Sequence, residues 1–182
     1  IRIFCIIAML ILTQACSKEN AFDCFKTTGP DRTEERTLDE FNTVIIYDNM
    51  ELNIVQGNTY KATITAGKNL LESIATTVEN GTLVIENNNM CNFVRGYKRK
   101  ISITLEVPKV KKVTNAGVAP IVFSESFALD TIIATIENSG DIYLKGNYSF
   151  LYRAIKTGAY SHSVAELLQS FSKYSNIFIV IA

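Results

Sequence analysis

Three segments decide the fold of this chain: VTNAG at Val113–Gly117, IATIENSG at Ile133–Gly140 and LYRAIKTG at Leu151–Gly158. Each is strand-like and ends in a corner of small residues. The closing glycines lie 23 and then 18 residues apart, and imprecise repeats of about 20 residues are typical of a β-solenoid. They predict parallel strands stacked about 4.8 Å apart, with alternate side chains pointing inward. We expect glycine at the corners because it adopts backbone angles that other residues resist.

The chain before Pro108 is also β-rich, with short alternating strands and one hairpin. Asn80-Gly81 separates two strand candidates, and this pair is typical of a two-residue turn because both positions need positive φ. A brief helical turn is predicted over Lys68–Glu72. The other strand candidates are Thr43–Tyr47, Met50–Val55, Tyr60–Thr65 and Lys100–Val107.

The predicted fold class is therefore all-β, with residues 41–182 as the β domain. Irregular N-terminal strands and a hairpin (residues 41–108) lead into β-helix-like repeats (residues 109–182). The alternative is an antiparallel sandwich whose turns contain glycine by chance.

Composition narrows the function classes. The 182 residues include 47% apolar residues, so a sizeable core can form. Lys and Arg number 18, and Asp and Glu also number 18. A nucleic-acid partner is not expected, since it would require an excess of basic residues. His162 is the single histidine, which excludes a multi-histidine metal site, and no cofactor is predicted.

The N-terminus has the pattern of an export signal. Ile3–Leu12 is an apolar run that follows Arg2, and it is about half the roughly 20 residues that a membrane-spanning helix needs. It predicts a signal peptide over residues 1–15. Because the small residue Ala15 precedes Cys16 at the end of the run, the segment resembles a bacterial lipobox. The resemblance implies cleavage before Cys16 and acylation of that cysteine.

Acyl chains on Cys16 would anchor the protein stably in a membrane. The polar stretch that follows, residues 16–40, is predicted to be a tether. Two alternatives remain open: a buried apolar helix with an ordinary cysteine, or a soluble secreted protein.

The remaining cysteines favour a disulfide. Cys5 belongs to the predicted signal peptide, which leaves Cys24 and Cys91 in the exported chain. Thiol pairs are usually bridged in an oxidising compartment, and a bridge closing this loop would stabilise the fold by about 4 kcal/mol. The alternative is a reactive Cys91 with His162 as its base.

A basic cluster with one aromatic residue is a candidate surface binding site for anionic lipid headgroups or acidic glycans. Its residues are Arg95, Tyr97, Lys98, Arg99 and Lys100. Three further lysines are expected near it: Lys109, Lys111 and Lys112. The alternative is a solvated loop beside a strand.

Five tyrosines are distributed through the predicted repeats. Stacked on the outside they would form a glycan-binding platform, and stacked inside they would be core. They are Tyr143, Tyr148, Tyr152, Tyr160 and Tyr174.

Short motifs along residues 23–182 follow a characteristic order. They are DCFKTTG at Asp23–Gly29, YDN at Tyr47–Asn49, AGKNLL at Ala66–Leu71, NGTL at Asn80–Leu83, CNFVR at Cys91–Arg95, Val107-Pro108, and the corners NAG at Asn115–Gly117 and NSG at Asn138–Gly140. In this order the chain resembles a Bacteroidetes lipoprotein family, the putative auto-transporter adhesins with a head GIN domain. The resemblance implies a right-handed parallel β-helix-like fold and carries over no catalytic residues. It also implies further rungs, so we expect a C-terminal truncation, or a cap supplied by a partner chain.

These observations together predict a non-catalytic lipoprotein of the bacterial cell envelope, held in the outer membrane by its lipid anchor. Its role would be that of an adhesin or surface binding module, with a glycan or another envelope protein as partner. The first alternative is a structural periplasmic protein without an external ligand. A glycan-active β-helix enzyme is the second, and the sequence supports it least because no catalytic motif surrounds the acids after Pro108.

Overall fold

The computed structural model describes residues 27–89, 100–124, 127–144, 147–155 and 177–181. Within these ranges the chain is nearly all β, and none of the described helices is long and apolar enough to cross a membrane. The elements are β1 (Asp31–Thr37), β2 (Thr43–Ile46), β3 (Met50–Gln56), β4 (Lys61–Gly67), α1 (Lys68–Leu71), β5 (Ile74–Glu79), β6 (Thr82–Asn87), β7 (Ile101–Val107), β8 (Lys112–Asn115), β9 (Ile121–Phe123), β10 (Ala128–Ile136), β11 (Ile142–Leu144), β12 (Asn147–Ile155) and β13 (Ile177–Ile181).

The strands form two mixed sheets. One has six strands in the order β1-β4-β7-β3-β9-β11, and the other has seven in the order β13-β12-β10-β8-β2-β6-β5. The pairs β1–β4, β4–β7 and β5–β6 are antiparallel, and the other described pairs are parallel. From β8 to β12 the chain passes alternately between the two sheets. Parallel pairing in this part rules out a purely antiparallel sandwich.

The inward-facing residues of both sheets are apolar and form one buried cluster. Strict alternation produces this core: β7, for example, buries Ile101, Ile103, Leu105 and Val107 and leaves the residues between them partly exposed. Two edge-to-face aromatic pairs extend the cluster, and the rings of Phe123 and Phe127 lie 5.3 Å apart.

The glycine corners of neighbouring strands stack on one another. The Val118 N–H donates to the Asp48 carbonyl at 2.8 Å, and the Gly140 N–H donates to the Gly117 carbonyl at 3.2 Å. The corner expected at Gly158 lies outside the described residues. Successive corners are therefore linked by backbone hydrogen bonds across the sheets' edge.

Close approach, and not an unusual φ, explains the glycines at these corners. The described glycines with positive φ are Gly29 and Gly81, so the conformational reason expected for Gly117 and Gly140 is wrong. A β-carbon on Gly117 would collide with the Asp48 carbonyl oxygen. On Gly140 it would lie 2.9 Å from the Gly117 carbonyl oxygen, closer than real β-carbons come.

One buried polar residue interrupts the core beside these corners. The register of the parallel strands aligns Asn115 with Ile46 on one side and with Ile136 on the other. Asn115 is fully buried. Its amide donates to the carbonyls of Ala119 (2.9 Å) and Asp141 (3.0 Å). Its own oxygen accepts the Gly117 N–H at 3.1 Å, so every bond holds a corner in place.

The local predictions before Pro108 are confirmed in most respects. Asn80 (φ 49°) and Gly81 (φ 74°) form the positive-φ turn between β5 and β6. Helix α1 occupies the predicted helical turn, and strands β2, β3, β4 and β7 fall on the predicted strand candidates.

The tether predicted over residues 16–40 is wrong for residues 31–37, which form β1 and pair with β4. The strand consists of charged residues and threonine, so it carries no apolar alternation from which a strand could be predicted. Such a composition suits a sheet edge, because charge discourages pairing with another chain.

Arg36 ties this edge strand to the opposite sheet. Its guanidinium donates to the backbone carbonyls of Leu71 and Ile74 and to the hydroxyl of Thr76, and it pairs with Glu34 at 2.7 Å. The side chain is 20% exposed. A partly buried arginine thereby closes the end of the core that lies between β1 and β5.

Candidate binding face

Most of the predicted basic cluster lies outside the described residues, namely Arg95, Tyr97, Lys98 and Arg99. Lys100 is described, directly before β7. Its ammonium lies 2.6 Å from a carboxylate oxygen of Glu51, and its side chain is 79% exposed. It therefore sits at the margin of the outer face of the six-stranded sheet.

The three further lysines expected near Lys100 are instead at the opposite end of β7. Lys109, Lys111 and Lys112 follow Val107, and a seven-residue strand separates them from Lys100 by roughly 20 Å. These lysines therefore do not lie beside Lys100, the described member of the predicted cluster. A strand, unlike a loop, carries the chain across the whole sheet.

Of the five tyrosines in the repeats, Tyr143 has a described side chain. It lies on β11, is 46% exposed, and its hydroxyl is 3.3 Å from an Asp141 carboxylate oxygen. The side chains of the others lie outside the described residues: Tyr148, Tyr152, Tyr160 and Tyr174. A tyrosine platform therefore stays a prediction, with Tyr143 as its one described member.

Tyr143 ends a row of outward-facing residues that crosses the six-stranded sheet, one residue per strand. We call this the central row. In order from β1 to β11 it consists of Glu35, Thr63, Thr104, Asn53, Val122 and Tyr143. Five strand spacings of about 4.8 Å give the row a length of roughly 24 Å.

The middle of the central row offers polar groups to solvent. Thr63, Thr104 and Asn53 are each partly exposed, and none of these side chains is hydrogen-bonded to another described residue. The amide of Asn53 both donates and accepts, as does each threonine hydroxyl. This part of the sheet is therefore a flat surface of hydrogen-bonding groups.

Paired charges flank the central row. On one side Lys61 lies 3.8 Å from the Glu35 carboxylate and 3.9 Å from that of Glu106. On the other side Lys100 pairs with Glu51. Each of the three carboxylates lies within 4.0 Å of an ammonium group, and the carboxylates outnumber the ammonium groups by one.

Titration and metal chemistry add little to this face. Burial raises the pKa of the Tyr60 phenol above its ordinary value of 10.0, and the negative charge of Glu40 raises it further. Tyr60 packs on Phe41 at a sheet margin. Among the described residues no group of three or more His, Cys, Asp or Glu side chains is placed to hold a metal ion.

The central row could not be predicted from the sequence. Its polar residues are visible as the alternate positions of β3, β4 and β7. Their neighbourhood is not visible, because β3 pairs in parallel with β7 across about 50 residues of chain. Nothing local in the sequence indicates that Asn53 lies beside Thr104.

The described part of the chain is an all-β domain of two mixed sheets with stacked corners. The outer face of its six-stranded sheet is polar. The chain belongs to the family described as putative auto-transporter adhesin, head GIN domain, whose family model matches residues 40–163. The resemblance stated from the sequence is thereby confirmed.

Solved structures of related fold include two proteins described as putative adhesins. The one from Bacteroides fragilis is 19% identical with a TM-score of 0.56, over 71% of this chain and 63% of its own length. The one from Parabacteroides merdae is 16% identical with a TM-score of 0.50, over 71% and 61%. A protein from Parabacteroides distasonis described as a putative lipid binding protein is 16% identical with a TM-score of 0.58, over 83% and 60%.

At sequence identities of 16% to 19%, the similarity to these three proteins shows a shared fold. The chain spans 60% to 63% of the length of these three proteins. No curated protein matches the chain.

Proposed function

We propose that this protein is a non-catalytic binding module of the bacterial cell envelope, of adhesin type. The observation that carries the proposal is the match of the adhesin family over residues 40–163. The exposed hydrogen-bonding groups of the central row supply a surface on which a partner would bind. The experiment that tests the proposal is the adhesion of beads coated with the purified protein to intact cells and to mucin, compared with uncoated beads. Binding no greater than that of uncoated beads would refute it.

The proposed module is lipid-anchored through Cys16 in the outer membrane. The N-terminal apolar run and the lipobox-like Leu12–Cys16 segment support this, and two or three acyl chains suffice for stable anchoring. Cys16→Ser should move the protein from the membrane fraction to the soluble fraction and abolish labelling by palmitate. A membrane-bound, labelled variant would contradict the anchor.

We also propose that β8 to β13 belong to a right-handed parallel β-helix-like solenoid. The support is the alternation of β8 to β12 between the two sheets and the parallel pairing from β8 through β10 and β12 to β13. In such a solenoid, Asn115 and the glycine corners fix the turn between successive rungs.

The disulfide between Cys24 and Cys91 is retained as part of the proposal. Thr27, three residues after Cys24, accepts a hydrogen bond from the side chain of Asn69 at 2.9 Å. Asn89, two residues before Cys91, donates to the Leu70 carbonyl at 3.0 Å.

Thr27 and Asn89, which stand three and two residues from these cysteines in the sequence, therefore both contact helix α1. Three residues and two residues of extended chain reach about 10 Å and 7 Å, and this reach is compatible with a bridge. Reduction should lower the melting temperature of the protein. An unchanged transition after reduction would contradict the bridge.

A further inference from the structure

We infer that the central row is a binding site for an extended, neutral polysaccharide chain that lies across the strands of the six-stranded sheet. The inference rests on the proposed binding function and names its ligand class. It assigns direct contacts to Thr104, Asn53 and Tyr143.

The geometry of the row suits a linear polymer. Neighbouring positions are one strand spacing apart, about 4.8 Å, which is close to the length of one sugar residue in an extended chain. Thr63, Thr104 and Asn53 occupy consecutive positions. Hydroxyls and an amide, each able to donate and accept, complement the hydroxyl groups of a sugar.

The end of the row at β11 adds an aromatic surface. Tyr143 is 46% exposed, and Val122 stands between it and Asn53. An exposed tyrosine offers an apolar ring face together with a polar hydroxyl, which is the combination that the alternating C–H and O–H groups of a sugar ring match.

Charge selects a neutral polymer over an anionic one. The two lysines that flank the row, Lys61 and Lys100, already lie within 4.0 Å of carboxylates. Among the described residues of this face, no unpaired cation is thus left for the uronate, sulfate or phosphate groups of an acidic polymer. The three carboxylates of this face outnumber its two lysines, and the surplus negative charge would repel such groups.

Chemistry also favours a sugar over a protein partner. Protein interfaces are anchored by a desolvated centre of aromatic and apolar residues. The middle of the central row instead consists of two threonines and an asparagine, with Val122 and Tyr143 at one end. At the centre of the row a second protein would find hydrogen-bonding groups where an apolar anchor is needed.

The test is calorimetric titration of the purified protein with linear, extended hexasaccharides of neutral sugars, namely β-1,4-glucan, β-1,4-mannan and β-1,4-linked N-acetylglucosamine. Oligogalacturonate of equal length is the anionic control. We expect at least one neutral hexasaccharide to bind, its disaccharide to bind at least tenfold more weakly, and oligogalacturonate to show no binding. Failure of all three neutral ligands to bind, or equal binding of oligogalacturonate, would overturn the inference.

Variants locate the site. Asn53→Ala and Tyr143→Ala should each weaken binding at least tenfold, and Thr104→Val, which keeps the shape and removes the hydroxyl, should weaken it several-fold. Thr77→Val on the exposed edge strand β5 of the other sheet is the matched control and should leave affinity unchanged. Unchanged melting temperatures confirm that each variant folds. Full affinity in folded Asn53→Ala and Tyr143→Ala would overturn the inference.

A parallel adhesion assay separates this inference from the function on which it rests. Beads coated with the protein are tested on mucin and on intact cells, with and without soluble hexasaccharide. Adhesion that persists in Asn53→Ala and Tyr143→Ala and resists the hexasaccharide would overturn the polysaccharide site and leave the adhesin proposal standing. Absence of any adhesion by the native protein would refute the proposed function itself.

Discussion

Asn115 should be the polar residue on which the stacked corners depend most strongly. It takes the place of isoleucine in a column of inward-facing residues, and its neighbours in that column include Ile46 and Ile136. A purely hydrophobic account of the core predicts that isoleucine at this position would be at least as stable. The hydrogen bonds of Asn115 predict the opposite.

The magnitude follows from the groups that the substitution Asn115→Ala leaves without a partner. The Gly117 N–H loses the Asn115 oxygen, and the Ala119 carbonyl loses the Asn115 amide. The Asp141 carbonyl keeps the Ile121 N–H at 2.9 Å. Two buried polar groups left unsatisfied cost about 1–3 kcal/mol each, so we expect a loss of about 3–4 kcal/mol in the free energy of unfolding.

The assay is urea and thermal unfolding followed by circular dichroism. For a chain of this size, a loss of that magnitude lowers the melting temperature by roughly 10 °C. Asn138→Ala is the matched control. Asn138 belongs to the next corner, is exposed, and bonds to Ala116 at 3.3 Å and to the Ser139 N–H at 2.9 Å, so its loss should cost less than about 1 kcal/mol.

Asn115→Ile discriminates between the two accounts of the core. It restores the isoleucine column but leaves the same Gly117 N–H and Ala119 carbonyl without partners. We expect it to be destabilised by at least about 2 kcal/mol. An Asn115→Ile protein as stable as the native chain, or an Asn138→Ala loss as large as that of Asn115→Ala, would refute the reasoning.

Three further predictions concern other positions. Gly117→Ala should lose more than about 2 kcal/mol of unfolding free energy in urea unfolding, because its new β-carbon meets the Asp48 carbonyl oxygen; an unchanged stability would contradict the close approach at this corner. Arg36→Met should lose about 1–3 kcal/mol of unfolding free energy in the same assay, since its hydrogen bonds to the Ile74 and Leu71 carbonyls are broken. The matched control, Arg32→Met at an exposed position, should be near neutral. Equal losses in the two variants would contradict the role of Arg36 in closing the core. Because the folded state raises the pKa of Tyr60, the unfolded chain deprotonates first, and the free energy of unfolding should fall as pH rises above about 10. Tyr60→Phe should flatten that part of a stability–pH profile. An unaltered slope in the variant would contradict this role of Tyr60.

The alternation of the strands and the positive-φ hairpin could be predicted from the sequence, because both depend on residues that are neighbours in the chain. The buried positions of β7 alternate with polar residues, and Asn80-Gly81 has the turn chemistry that its backbone requires. The glycine corners are also visible. Their physical reason is not, since the carbonyl that excludes a β-carbon at Gly117 belongs to a residue far away in the chain.

Strand β1 and the central row could not be predicted for a related reason. An edge strand of charged residues has no apolar face, and its identity depends on pairing with β4. The central row exists because parallel pairing brings Asn53 beside Thr104 and Val122. Sequence patterns specify which face of a strand is polar, but they do not specify which strands are neighbours.

The measurement that tests the central claim most directly is protease shaving of intact cells of the source bacterium, with lysed cells as the control and the β domain detected by antibody. A surface binding module anchored at Cys16 predicts that the domain is digested in intact cells as completely as in lysed cells. Protection of the domain until lysis would place it in the periplasm, contradict a role in adhesion, and favour a structural protein of the envelope.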